Sequence, residues 1–202
     1  MKKKPPAAPM GRPRSFDTDQ ALDRALRVFW QKGYEGASLS DLTRAMGINR
    51  PSLYAAFGNK EALFRKALDR YTAGHASYIL EALREPTARS VAERLLHGAA
   101  NLLTNPATPR GCLMVQGALS CGKAADPIRH ELALRRAGGE AAIRQRFERA
   151  IRDGDLPADT DSADLARFVA TVIHGMSVQA AGGASRKELL RVVATTLRAW
   201  PK

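Results

Sequence analysis

Apolar positions recur at steps of three and four from about residue 17 to residue 200, a spacing that predicts helices and no strand. Leu22, Ala25, Leu26 and Phe29 share one face of a first helix over about 17–33, with Gly33 placed to end it in a left-handed cap. Ser38-Leu-Ser-Asp41 has the form of a capping box and opens a short helix to Met46. Gly47 then turns the chain, Asn49 caps a third helix, and Pro51 stands in its first turn, where a missing amide proton costs nothing. That helix ends near Phe57. Asn59 caps a fourth, which the spacing of Leu63, Ala67, Tyr71 and Leu80 carries unbroken to Pro86. Further helices are expected over about 88–104, 111–120, 127–153, 162–181 and 186–200, the last behind a second capping box, Ser185 to Glu188. Gly138 and Gly139 cost about 1 kcal/mol each relative to alanine inside a helix, which leaves open whether the 127–153 helix is continuous there. The fold class is all-α.

Composition adds the partner. The 202 residues allow one full domain and a smaller module. Lys and Arg number 32 against 20 Asp and Glu, a net +12 that points to an anionic partner, with nucleic acid leading. A 45% hydrophobic share fills a core, and 26% charged residues spread along the chain argue against a membrane protein. No window reaches the eighteen or so apolar residues of a membrane span. The basic start carries three prolines where a signal peptide needs an apolar stretch, and two cysteines, Cys112 and Cys121, suit a reducing cytosol. A cytoplasmic protein is expected.

The chain divides into a basic arm over 1–14, a DNA-binding unit over 15–62 and a helical unit over 63–202. Leu42, Met46, Ile48, Leu53 and Phe57 are spaced to pack inward, which makes the second and third helices a helix-turn-helix and leaves Arg50, Pro51, Tyr54 and Ala55 on the outer surface. A helix so placed enters a major groove with its first residues at base edges. Arg44, Tyr54 and Lys60 are candidates for phosphate contact. Tyr54 also reads as a half-buried packing residue, and Arg44 as a solvated charge. In the arm, Gly11-Arg-Pro-Arg14 is similar to the core of an AT-hook, which would lay Arg12 and Arg14 in a narrow minor groove; an ordinary basic tail reads the same way.

Ser38-Leu-Ser-Asp-Leu42, Met46-Gly-Ile-Asn-Arg-Pro-Ser-Leu-Tyr54 and Phe57-Gly-Asn-Lys-Glu-Ala-Leu-Phe64 resemble the DNA-binding domain of the TetR/AcrR family of bacterial transcriptional regulators. The resemblance implies a homodimeric regulator of double-stranded operator DNA, usually a repressor released by a small molecule. By motif it implies that Ser38, Arg50, Ser52, Tyr54 and Lys60 hold the DNA backbone, while the segment from Arg50 to Ala55 faces bases. Ala55-Ala56 departs from the polar or aromatic residues of many relatives, so methyl contacts or the arm would carry more of the readout. A basic helical adaptor or enzyme subunit using the fold for protein contacts is the alternative.

The remaining helices would sense and dimerise. Arg110 to Cys121 mixes large apolar, small and soft residues and suits a pocket wall, with Met114 and Gln116 near the ligand and Phe147 and His174 as further candidates. Cys112, near a helix start and beside Arg110, is either a thiol open to electrophiles or a small buried hydrophobe. Apolar stripes include Phe168, Val172 and Met176 on one helix and Val193, Leu197 and Trp200 on the next; they form the edge of one core or, as the family implies, a four-helix dimer interface. No cofactor is expected. Neither a catalytic arrangement nor a metal site is expected either: Gly175 to Gln179 misses a nucleophile elbow, no phosphate-binding glycine loop occurs, and His75, His97, His130 and His174 stand apart in sequence.

Overall fold

The computed structural model describes residues 16–117 and 122–201, all helix and connection. Helix α1 (Thr18–Gly36) starts on Asp17, whose carboxylate accepts from the amides of Asp19 and Gln20. Helix α2 (Leu39–Met46) and α3 (Arg50–Phe57) follow, then α4 (Lys60–Ala73) and the short α5 (Tyr78–Ala82). Helix α6 (Ala88–Leu103), the single turn α7 (Leu113–Gln116), the long α8 (Asp126–Arg152), α9 (Ser162–Ala181) and α10 (Arg186–Arg198) complete the described residues.

Two apolar cores organise these helices. In the head, Phe29 of α1, Leu42 of α2, Leu53 of α3 and Phe64 of α4 are buried together, and Leu113 of α7 with Ile128 and Leu132 of α8 join them. In the body, Leu95 of α6, Phe147 of α8, Val169 of α9 and Val193 of α10 form a second cluster. Each such side chain contributes about 1.5–3 kcal/mol by leaving water. Helix α8 therefore belongs to both cores, its first turns to the head and its last turns to the body.

Three expectations are corrected, and the open question of the glycine pair is answered. Helix α1 does not end at Gly33; the chain bends there at φ 69° and ψ −179° and resumes helix to Gly36. Only glycine enters that region without strain, and the bend lets the Tyr34 amide donate to the Gly117 carbonyl at 2.8 Å. The expected long fourth helix stops at Ala73, because Gly74 leaves helical geometry (φ −102°, ψ −83°) and the chain turns so that the Tyr78 ring packs on Gly98 of α6, where no Cβ would fit. Leu80, expected on its apolar face, is 61% exposed. The helix expected over 111–120 is helical only at Leu113–Gln116 among the described residues. The glycine pair produces no break, for α8 is continuous from Asp126 to Arg152 and neither Gly138 nor Gly139 has a positive φ.

Candidate functional site

Helix α3 is positioned by the helix and turn that precede it. Ser38 caps α2: its hydroxyl accepts from the Asp41 amide at 3.0 Å while the Asp41 carboxylate accepts from the Ser38 amide at 3.2 Å. Lys32 of α1 sits 2.9 Å from that carboxylate; Lys32, then Ser38, lower its pKa to about 2. Gly47 closes α2 in the left-handed region, φ 72° and ψ 30°, and its amide donates to Arg44 and Thr43 carbonyls. Asn49 caps α3 by accepting from the Ser52 amide at 2.9 Å. Buried Leu42, Met46, Leu53 and Phe57 then hold one face of α2 and α3 against α1.

The opposite face is open. Arg44, Arg50, Pro51, Tyr54 and Ala55 are exposed and Ser52 is half-buried, with Tyr54 47% exposed between Leu53 at 0% and Phe57 at 6%. Arg50 donates to the Ser40 hydroxyl at 3.2 Å, which sets its guanidinium at the start of α3. The Ser38 hydroxyl hydrogen goes to Asp41 at 2.8 Å, so this residue builds the helix start. Lys60 opens α4 and is half-buried, its Nζ 4.6 Å above the Tyr34 ring and 3.5 Å from the Glu35 carbonyl. Arg12 and Arg14 lie outside the described residues.

A second cluster lies where the two cores meet. Cys112 precedes α7 and packs against both. Its amide donates to the Ser177 hydroxyl at 2.9 Å, and the Tyr71 phenol donates to its Sγ at 3.4 Å. Trp30 donates to the neighbouring Gly111 carbonyl at 2.9 Å and sets its ring edge-on to Tyr71. Burial raises the pKa of both the Tyr71 and Tyr78 phenols, with Cys112 adding to each. Met114 is half-buried, its carbonyl accepting from Arg136 at 2.6 Å. Gln116 lines a cleft of about 570 Å³ between the end of α1, Pro109, Arg110 and Ala181. His174 of α9 is half-buried facing Arg136 and Glu140; burial first, then Arg136, lower its pKa. Phe147 is fully buried in the body core, its ring 5.6 Å from that of Trp200. Trp30 and Ser177 were not expected at this cluster, and Tyr71 was expected only as an apolar position of the fourth helix. They lie in other helices, and Cys112 is 41 residues from Tyr71 and 65 from Ser177.

The expected dimer residues divide. Phe168 is exposed and Val172 half-buried, but Met176, Val193, Leu197 and Trp200 are packed inside the subunit, where α6, α8, α9 and α10 share a core. The apolar residues that α9 and α10 leave exposed are Phe168, Val178 and Val192.

A family model described as bacterial regulatory proteins, tetR family, matches residues 21–67, and one described as tetracyclin repressor-like, C-terminal domain, matches residues 91–196. The chain belongs to the TetR family. It is a DNA-binding transcriptional regulator of that family, and its head is the matched helix-turn-helix. It is 39% identical over 196 residues to the HTH-type transcriptional repressor ComR of Escherichia coli (strain K12), spanning 95% of this chain and 92% of that one. The HTH-type transcriptional repressor BdcR of the same strain is 32% identical over 91% of this chain and 89% of its own. Among solved structures, a cysteine mutant of the TetR-family regulator CifR complexed with 26bp double-strand operator DNA is 49% identical, with a TM-score of 0.92, covering 95% of this chain and 100% of that one. Among the described residues no helix is long and apolar enough to cross a membrane, and no three His, Cys, Asp or Glu gather to hold a metal ion.

Proposed function

We propose that this protein is a cytoplasmic homodimeric repressor that grips a palindromic operator through α3 of each copy and is released by a small-molecule or thiol-reactive effector. The observation that carries the reading is Tyr54, exposed on α3 between two core residues, in a helix whose start is fixed by Asn49 and Arg50. A buried packing role does not suit a phenol 47% open to solvent. Arg50, Pro51 and Ala55 face base edges and Arg44, Ser52, Tyr54 and Lys60 face phosphates; Arg12 and Arg14 reach the flanking minor groove. Similarity to an operator-bound regulator over nearly the whole chain supports the same use here.

Dimerisation sets two reading helices about 34–36 Å apart on successive major grooves. The exposed Phe168, Val178 and Val192, with the half-buried Val172, supply an apolar surface on α9 and α10 for that contact. Met176, Val193, Leu197 and Trp200 support it from beneath as the core of each subunit. The effector enters near Cys112, Met114 and Gln116, with His174 on the facing helix. A group added to Sγ meets Tyr71 of α4, and α4 begins at Lys60 beside the DNA-reading surface.

Selection of genomic fragments by the purified chain tests the reading. The account expects a shared palindromic sequence bound by two copies, read by the mass of the complex. Binding of a single copy, or of all fragments alike, contradicts it.

A further inference from the structure

Helix α8 is anchored in both cores, and between the anchors it carries no buried side chain, with His174 of α9 facing Arg136 and Glu140. The first turns of α8 bury Ile128 and Leu132 in the head core, the ion pairs Arg65–Glu131 and Arg135–Asp69 bind the same stretch to α4, and Arg135–Glu131 links them within α8. Its last turns bury Ile143 and Phe147 in the body core, and buried Arg146 donates to the carbonyls of Glu85 and Pro86 ahead of α6. Between Leu132 and Ile143 no side chain is buried. Gly138 and Gly139 sit in that interval.

Neither glycine has a structural reason to be glycine. Both have ordinary helical geometry, and a Cβ built on either meets nothing within 4 Å, so neither a positive φ nor a close neighbour excludes alanine. A glycine pair is one of the few local causes of helix bending, because it removes the side chains that restrict the backbone and opens its carbonyls to water. Beyond the pair, Glu140 pairs with Arg167 of α9, and before it Arg136 donates to the Met114 carbonyl.

We propose that Gly138 and Gly139 form an elbow in α8 at which the DNA-reading head turns relative to the helical body. The proposal rests on the reading that an effector releases the chain from an operator, and it supplies the moving part. A change in how the two cores sit relative to one another is one way for an effector-bound state to differ from the operator-bound one, and α8 passes directly from one core to the other. Helix α8 is continuous from Asp126 to Arg152 in this structure, and the elbow is where it would bend on release.

Hydrogen exchange on the full chain, read by mass spectrometry, tests the elbow. Amides over 139–143 should exchange about tenfold faster than those of the anchored turns on either side. The double variant Gly138→Ala/Gly139→Ala should slow them to the rate of those turns and raise the Tm by roughly 4 °C. With the selected DNA fragment as ligand and N-ethylmaleimide as the thiol probe, the parent should lose affinity and the double variant should keep it. Equal protection along α8 in the parent, or exchange in the variant like that of the parent, overturns the elbow. If N-ethylmaleimide leaves the parent bound, the thiol reading fails, and the exchange comparison still decides the elbow.

Discussion

The Tyr71 phenol donates to the Cys112 sulfur across 3.4 Å, joining α4 of the head to the residue that precedes α7. Tyr71 is fully buried, so its hydroxyl cannot turn to water if the sulfur is modified. An adduct on Cys112 would press on α4, whose first residue, Lys60, lies on the ring of Tyr34.

Tyr71→Phe should cost about 1 kcal/mol of stability. The same hydrogen bond holds the sulfur in place, so the rate of alkylation of Cys112 by N-ethylmaleimide should change severalfold when it is lost, followed on the Cys112 peptide by mass spectrometry. An unchanged rate would mean that the phenol has no hold on the thiol.

The Asp41 carboxylate gives the head an acid-side signature. Its pKa falls from 3.8 to about 2 through Lys32 and Ser38, so the stabilisation is present above the unfolded value and is lost as pH falls from about 4 toward 2. Asp41→Asn should lower the melting temperature at pH 7, and the gap from the parent should close as pH approaches 2. A gap independent of pH would assign the loss to something other than the charge.

Much of this architecture was legible in sequence because it is local. Ser38, Asn49, Asn59 and Ser185 each accept from an amide three residues on, and each stands where its motif predicted a helix start. Gly74 was missed because the apolar spacing of Leu63, Ala67 and Tyr71 continues arithmetically to Leu80, across a turn that only the packing of Tyr78 on α6 demands. Periodicity in α10 revealed an apolar stripe but could not say that Val193 and Leu197 face their own subunit. The surroundings of Cys112 come from α1, α4 and α9, and no local pattern records them.

Those burial values separate two kinds of variant. Phe168→Glu/Val192→Glu should give a folded monomer with weak operator affinity, since both residues are exposed in the subunit. Leu197→Asp should instead unfold the body, because an unpaired charge enters its core. Sedimentation velocity with circular dichroism separates the outcomes, and a Phe168→Glu/Val192→Glu protein that remains dimeric would move the interface elsewhere.

Removal of residues 1–14 should weaken binding most at sites with A·T-rich flanks, where a narrow minor groove attracts arginine. Titration of duplexes differing only in their flanks measures this. A loss uniform across flanks would reduce Arg12 and Arg14 to general charge.

Lys60 tests the positioning of α4 on the DNA backbone. Lys60→Ala should weaken binding to all sequences similarly and reduce the salt slope by about one unit, as expected for one lost phosphate contact. An unchanged slope would remove Lys60 from the phosphate contacts.

Hydroxyl-radical footprinting of a selected fragment tests the central claim most directly, with the parent beside Arg50→Ala/Tyr54→Ala. The account predicts two symmetric protected patches about one helical turn apart for the parent, and their disappearance in the folded double variant. A single patch, or a footprint that survives loss of both side chains, would contradict operator reading by α3 of a dimer.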